Sequence, residues 1–531
     1  MSRSSSKQFA GDEAFGGLGT DECKPAIVIF RAPSAANSAG RPFPLCKRNY
    51  FGWKLTRIVM SPSLALSLWL VLVLSLFCFD PARERKTSKA LLVPLVWFFF
   101  LGSRTPTMWL GMQTMSAAQA LEEGSPLDRT VFSLLAAAAF TILVSRSFQW
   151  QKFVAKNSAL AFLLLFALLS VAWSDFPLAT FKKWFRDMGV YMAALVVLSD
   201  PRPLEAVRTV LRRLYYLMIP LSILLIKYYP NLGKSFSAWG GQEYTGVSTS
   251  KNMLGAVCLV SGIFFFWDTV TRWHQRKEKR TRRIIFLNIA FIGMILYLLN
   301  LSDSKTSTLC LVLGCLMIGA AHCNFGRRHV NWVKALAPAT FVLYLILTLG
   351  FGMGAQLSES VGRSGNMSDR TRIWQVLLSI PINPVLGTGY QSFWLGWRIP
   401  WVWARLTGDN VLEAHNGYLQ TYLELGMVGL LLLCAFLIAT YRKICKQLKP
   451  LTPLASLGLG LWTLLLFYNV TEAAFGAGLL LITLLMGSLT VPQRAKSQLH
   501  SVAPTALDGK EEDFDLYERQ TLSADPYKLA L

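Results

Sequence analysis

The sequence predicts an all-α, polytopic membrane protein of about 12–13 transmembrane helices with one large periplasmic loop late in the chain. Three observations predict it. Apolar runs of roughly 17–22 residues, long enough to cross a bilayer, follow one another from about residue 60 to 491. Only 16% of the 531 residues are charged and 53% are hydrophobic, for a mean hydropathy of +0.40. A soluble domain carries about 25% charged residues. Between residues 355 and 424 the apolar runs pause and Arg, His, Asn, Glu, Gly and Trp gather.

Residues 1–58 are rich in Ser, Gly and Pro and read as disordered. No compact apolar core follows a short basic start, so they are not a signal peptide. The spans then fall at about 60–79, 90–112, 130–147, 158–174, 188–200, 214–229, 252–270, 284–301, 306–322, 333–354, 425–441, 455–469 and 474–491, with 188–200 short. Helices are expected, because lipid cannot satisfy exposed backbone groups.

Loop charge sets the orientation. Arg272 to Arg283 holds seven Lys and Arg residues and belongs in the cytoplasm. Counting outward, 82–89, the turn near Lys152, Pro201–Arg213, the turn with Arg327 and Arg328, 441–449 and the tail 493–531 join it. The loop with Glu122, Glu123 and Asp128 lies outside, as does 355–424. The net charge of +23 is then explained by cytoplasmic loops beside anionic lipid, not by nucleic acid. The same counting puts the N-terminus outside, although residues 1–58 hold nine Lys/Arg against four Asp/Glu. The uncharged lead from Met60 suits that side better, so the expected start is Met60 and 1–59 a mis-annotated extension.

Of nine cysteines, most lie in apolar runs or at their basic ends, and none lies in the long loop. That excludes a disulfide framework and a CxxC metal site.

Outside turns should be poor in Lys and Arg, and the exceptions mark candidate chemistry. In ATFKKWFRD, Lys182, Lys183 and Arg186 share one helical side, with Phe181, Trp184 and Phe185 towards lipid. This is an interfacial amphipathic segment that either clamps a phosphate or anchors by snorkelling lysines. In GVSTSKNMLG, Ser250 caps the next span and leaves N–H groups and Lys251 facing out, a natural anion site. Lys305 in LSDSKTSTL repeats the arrangement. Both turns also read as simple polar caps.

In the long loop, Arg370 and Arg372 precede an apolar run, and Pro381, Pro384, Gly387 and Gly389 break it into turns. The Gly387 and Gly389 pair is a weak phosphate-binding signal. Of five histidines, only His415 lies outside. It is expected to share a helical face with Tyr418 and Tyr422, while Asn416, Gln420 and Glu424 form another. No second His or Cys accompanies His415, so no metal is expected. Glu472 sits in the last outside turn, YNVTEAAF. Cations from several outside turns at one depth fit a dianionic headgroup, and Arg suits phosphate through its fork.

The chain resembles the O-antigen ligase superfamily: O-antigen ligases, O-antigen and exopolysaccharide polymerases, and ExoQ-like proteins. The resemblance spans about 60–492 and rests on WSDFP with KKWFRD, GVSTSKNMLG, SDSKTST, the Arg370–Trp374 spacing, PVLGTGYQSFW, HNGYLQTYLELGMVGL and YNVTE. It implies a bacterial inner-membrane glycosyltransferase that moves a glycan from an undecaprenyl-diphosphate carrier to an acceptor glycan or lipid A core, without metal, nucleotide or other cofactor. It places the catalytic roles on Arg370 and His415 and diphosphate contacts on Lys183, Arg186, Lys251 and Lys305. From the chemistry of the residues themselves, Glu424 suits an orienting group or second base, and Arg372, Asn416, Tyr418, Gly387, Gly389 and Glu472 are further candidate substrate contacts. Membrane lipid is the other partner. A transporter or flippase of lipid-linked sugars is the alternative. Such a protein should carry charges at the midplane and repeated halves, whereas the charges here lie at the outer surface.

Overall fold

In a computed structural model the chain is described over residues 60–491, apart from 79, 81–86, 113–121, 123, 237–240, 351–365 and 407–410. The expectations for 1–59, for the tail 493–531, for 82–86, for Glu123 and for 355–365 lie outside the described residues.

Each of the thirteen expected spans carries helix. The helices are α1 Pro62–Cys78, α2 Leu92–Gly102, α3 Pro126–Ser145, α4 Trp150–Lys156, α5 Ser158–Leu169, α6 Pro177–Leu198, α7 Pro203–Tyr228, α8 Lys251–Arg272, α9 Lys279–Ser302, α10 Lys305–His322, α11 Val330–Leu345, α12 Asn366–Leu378, α13 Arg398–Arg405, α14 Gly417–Leu448, α15 Pro453–Thr471 and α16 Leu479–Ser488. Among the described residues, eight helices are long and apolar enough to cross a membrane, and the bent pair at Asn157 makes a ninth. Three shorter apolar helices (Pro62–Cys78, Lys89–Gly102 and Leu479–Ser488) complete the apolar set. Among the described residues, strand structure is confined to a hairpin, β1 Lys234–Phe236 with β2 Gln242–Tyr244, between α7 and α8.

Two spans differ from expectation for physical reasons. The short 188–200 run is the second half of α6, which starts at Pro177 and takes in the whole KKWFRD segment. Phe181 and Phe185 are about half exposed there, as expected of a lipid-facing side. The 158–174 run is bent from α4 by 101°. At the bend Asn157 breaks the helix, donates to the carbonyls of Phe153 and Thr490, and accepts from Nζ of Lys443.

The bundle has two chemically distinct ends. At one end the basic turns meet: Arg146 pairs with Asp200, Arg208, Arg212 and Arg272 converge on Asp268, and His322 bonds Ser456. At the other end lie the turns expected outside: Arg104 donates to the carbonyls of Gly246 and Val247, Asn252 reaches Glu472, and Thr306 bonds Thr471. Between them runs a continuous apolar core centred on α7, α8 and α15.

The long loop is not a bare polar excursion. It folds over its own small core, which includes Ile373, Leu377, Phe393, Trp394, Val402 and Leu423. It is pinned to the bundle where α14 breaks at Gly426, whose backbone (φ 63°, ψ −162°) is not helical. The carbonyls and amides freed by the break pair with the 384–389 turn. Met427 N donates to Pro384 O, Val428 N to Val385 O, Thr388 N to Leu423 O and Gly389 N to Glu424 O. Buried backbone groups must be satisfied somewhere, and this turn satisfies them.

Candidate functional site

Arg370 is carried by α12 and reaches down to the turn after α15. Its Nη2 donates to Oε1 of Glu472 at 2.8 Å. Its Nη1 is buried with no hydrogen-bond partner among the described residues. Glu472 is 5% exposed. Its other oxygen, Oε2, accepts from Nδ2 of Asn252 at 3.3 Å and lies 3.6 Å from Nδ1 of His415. A second carboxylate, Oε1 of Glu413, stands 3.0 Å from the same Nδ1. Both contacts are at ion-pair distance but off hydrogen-bond direction. Four separate elements thus bring Arg370, Asn252, His415 and Glu472 together.

His415 sits in the left-handed region, φ 46°, one of the few non-glycine residues to do so. Such a conformation is sparsely populated and recurs at sites where surrounding structure fixes it. Here Asn416 follows as the cap of α14, its Oδ1 accepting from Tyr418 N and Leu419 N. His415 is therefore not on a helical face with Tyr418 and Tyr422, as its spacing implied. It lies before the helix begins. Asn416 is occupied as a cap. Tyr418 faces inward, its hydroxyl on the carbonyl of Leu466 and its ring against Phe475 and Phe341.

Burial alone would lower the His415 imidazole, but the Glu413 and Glu472 carboxylates outweigh it and raise it to about 9. Burial alone would raise the Glu472 carboxyl, but His415 and Arg370 outweigh it and lower it. At neutral pH the site is thus an imidazolium and a guanidinium facing carboxylates.

A second polar group is built on α6 and the Gly389–Ser392 turn. Nζ of Lys183 donates to the carbonyl of Gln391 at 2.9 Å, and Arg186 pairs with Asp187 at 3.1 Å. Asp187, buried, also accepts from the Tyr390 hydroxyl at 2.7 Å and from Nε2 of Gln391 at 2.6 Å. Glu424 is buried close by and is bonded by Nε2 of Gln420. Oε1 of Gln420 accepts from Ala414 N at 3.0 Å and from Nε1 of Trp394 at 2.9 Å. Gln420 therefore links Glu424 to the residue beside His415, and the two polar groups form one connected site.

Several expected substrate contacts are placed otherwise. Gly387 and Gly389 have φ of 70° and 102°, but their N–H groups are spent on Asn383 O and Glu424 O. They permit close approach of the turn to α14 and offer no donor to a phosphate. Arg372 donates to the carbonyl of Arg405 and lies on the surface. Lys251 and Lys305 are half exposed and paired with Glu243 at 2.7 Å and Asp303 at 2.9 Å. Ser250 does cap α8, accepting from Met253 N. Glu472 is enclosed behind Arg370 and His415, not offered to solvent.

Asp187, Glu413 and Asn252, which do not stand out as site residues in the sequence, complete these contacts. Asp187 follows the KKWFR cations directly, and Glu413 stands two residues before the outside histidine. In a segment otherwise poor in acid, that adjacency was the available signal. Glu413, His415 and Glu472 bring three ligand-type atoms within 4.8 Å of one another. The expectation of no metal rests on His and Cys alone and leaves these carboxylates out. Glu472 is already matched by the Arg370 cation at 2.8 Å, which works against a further positive ion.

The fold and site define a multi-pass helical membrane protein with a cation-bearing polar site under a folded loop at one end. Residues 289–434, from α9 into α14, match a family model described as O-antigen ligase. The chain is also 23% identical over 365 residues to the exopolysaccharide production protein ExoQ of Rhizobium meliloti (strain 1021), covering 63% of this chain and 77% of that protein. The chain is thus similar to O-antigen ligases over that stretch and to an exopolysaccharide production protein over most of its helical region.

Proposed function

We propose that the chain is a bacterial inner-membrane glycosyltransferase that moves a glycan from an undecaprenyl-diphosphate carrier to an acceptor hydroxyl, in O-antigen ligation or polysaccharide polymerisation. The observation that carries the reading is the convergence of Arg370 and His415 on one buried carboxylate, beneath the loop that the family match covers. The name of the Rhizobium relative supports an exopolysaccharide product.

In the proposed reaction the acceptor oxygen bonds to the anomeric carbon, the carbon–oxygen bond to the diphosphate breaks, and its electron pair leaves with the diphosphate. The carrier is already activated, so neither nucleotide nor metal is required. Fixed cations stabilise the charge developing on the leaving group. Arg370 supplies the fork, with Nη1 the unpartnered edge. Lys183 and Arg186 extend the positive surface along α6. Lys251 and Lys305 contribute by exchanging their exposed carboxylate partners for phosphate, since exposed ion pairs are worth little. His415 aligns the acceptor and adds positive charge. Its neutral form, able to take the hydroxyl proton, grows as pH rises towards 9. Glu424 is the second candidate base. The site end faces the periplasm with the loop 355–424, and the basic end faces the cytoplasm.

The test is reconstitution with a lipid-linked oligosaccharide and an acceptor. Transfer without ATP is expected, and Arg370→Ala and His415→Ala should abolish it. Movement of the lipid across the bilayer with no new glycosidic bond would overturn the reading in favour of a flippase.

A further inference from the structure

Glu472 has a geometry that the transferase reading leaves without a task. It is 5% exposed, so a diphosphate cannot reach it without displacing its partners, and an anion there would repel one. Yet it touches three elements at once. Oε1 holds Nη2 of Arg370 at 2.8 Å, and Oε2 holds Nδ2 of Asn252 at 3.3 Å while lying 3.6 Å from Nδ1 of His415. Its own backbone is fixed, since Glu472 N donates to Tyr468 O at 2.9 Å. A carboxylate locked at the end of a helix and buried against two cations sets where those cations stand.

We propose that Glu472 is a positioning residue that orients the Arg370 guanidinium and the His415 ring at once. It accepts a hydrogen bond from Nη2 of Arg370 and sets its charge opposite Nδ1 of His415. The inference rests on the transferase reading for its chemistry but not for its geometry. The charged and polar groups around the histidine are Glu413 from its own loop, Glu472 from the turn after α15, Arg370 from α12 behind that carboxylate, and Asn252 from α8. Only Glu472 meets all of the others except Glu413. Which imidazole nitrogen is left to react is set by what holds the other one.

The full-length protein in detergent or nanodiscs carries the test, with two readouts. The first is labelling of His415 by diethyl pyrocarbonate at pH 7, read by mass spectrometry, which requires a neutral, accessible ring and no turnover. Each unit by which the ring becomes easier to deprotonate raises its neutral fraction about tenfold. Glu472→Gln, which keeps shape and loses charge, should speed labelling by about that factor. The second is transfer: Glu472→Gln should lower kcat about a hundredfold with KM for the lipid-linked donor changed less than threefold, and shift the pH profile towards acid, while Glu472→Asp should recover part of kcat. Should Glu472→Gln fail to fold, Asn252→Ala loosens the same carboxylate and should raise His415 labelling to a smaller degree. Unchanged labelling in every folded variant overturns the proposal, as does a loss confined to KM. A protein that transfers no glycan while its His415 labelling still responds overturns the transferase reading and leaves the positioning role intact.

Discussion

The carbonyl oxygen of Val385 lies 2.2 Å from where a Cβ on Gly426 would stand. The contact is backbone to backbone, so no side-chain adjustment relieves it. Gly426 also has φ 63° and ψ −162°, a region that residues with a Cβ essentially do not enter. Clash and backbone strain act together at the point where the loop is sewn to α14. Gly426→Ala should therefore destabilise the protein by about 3 kcal/mol or more. Fluorescence-detected size-exclusion chromatography after a thermal ramp would read this as a lower melting temperature. Wild-type behaviour of this variant would show that the turn can move away from α14 at little cost.

The Arg370–Glu472 pair is largely buried, with side chains 13% and 6% exposed. Breaking a buried pair from one side strands the other charge and costs about 3–5 kcal/mol, whereas replacing both partners costs much less. Arg370→Ala alone should thus melt lower than the double variant Arg370→Ala/Glu472→Gln. Both should be inactive, because the double variant restores burial and not the fork. Arg370→Lys should fold and lose at least tenfold in transfer rate, since an ammonium cannot hold carboxylate and phosphate on two edges. Melting curves and single-turnover assays separate the two effects.

Much of the fold was legible because its signals are local. A bilayer demands long apolar runs, and the thirteen expected stretches all carry helix. KKWFRD was read as a surface segment because its four charges interrupt the apolar pattern. The structure continues it into α6, whose cations are met by Gln391 and Asp187 from another element and from the next residue. The site was legible as a set of residue types and not as contacts. Arg370, His415 and Glu472 were each singled out, but only the fold shows Glu472 behind the other two. His415 and Asn416 look helical in the sequence because helix spacing continues through them, whereas the helix begins at Gly417. What stops the helix is Asn416 taking the cap and the left-handed backbone at His415, neither of which periodicity reports.

The raised His415 imidazole gives a pH dependence whose sign is fixed. The folded value of about 9 lies above the unfolded value of about 6.5. The contribution to stability is therefore fully present below about pH 6.5 and is lost as pH rises through about 9. The wild-type melting temperature should fall across that window more than that of His415→Gln, which does not titrate. Catalysis should move the opposite way if the neutral ring takes the acceptor proton, with kcat rising towards pH 9. A flat stability difference between the two proteins from pH 6 to 10 would show that the carboxylates do not hold the ring charged.

Gln420 joins the two halves of the site. Its amide donates to Glu424 and accepts from Ala414 N and from Nε1 of Trp394. Gln420→Leu keeps most of the volume and leaves a buried indole N–H, a backbone N–H and a carboxylate without that partner. Unsatisfied buried groups cost about 1–3 kcal/mol each, so the variant should be clearly less stable. Gln420→Glu is the sharper probe. It keeps the acceptor for Trp394 and Ala414 and sets a second carboxylate against Glu424, so one of the two must hold a proton. If Glu424 serves the reaction as an ionised group, Gln420→Glu should lower kcat at neutral pH and recover it as pH rises. If Glu424 only braces the loop, the variant should transfer at the wild-type rate over the whole pH range in which it stays folded.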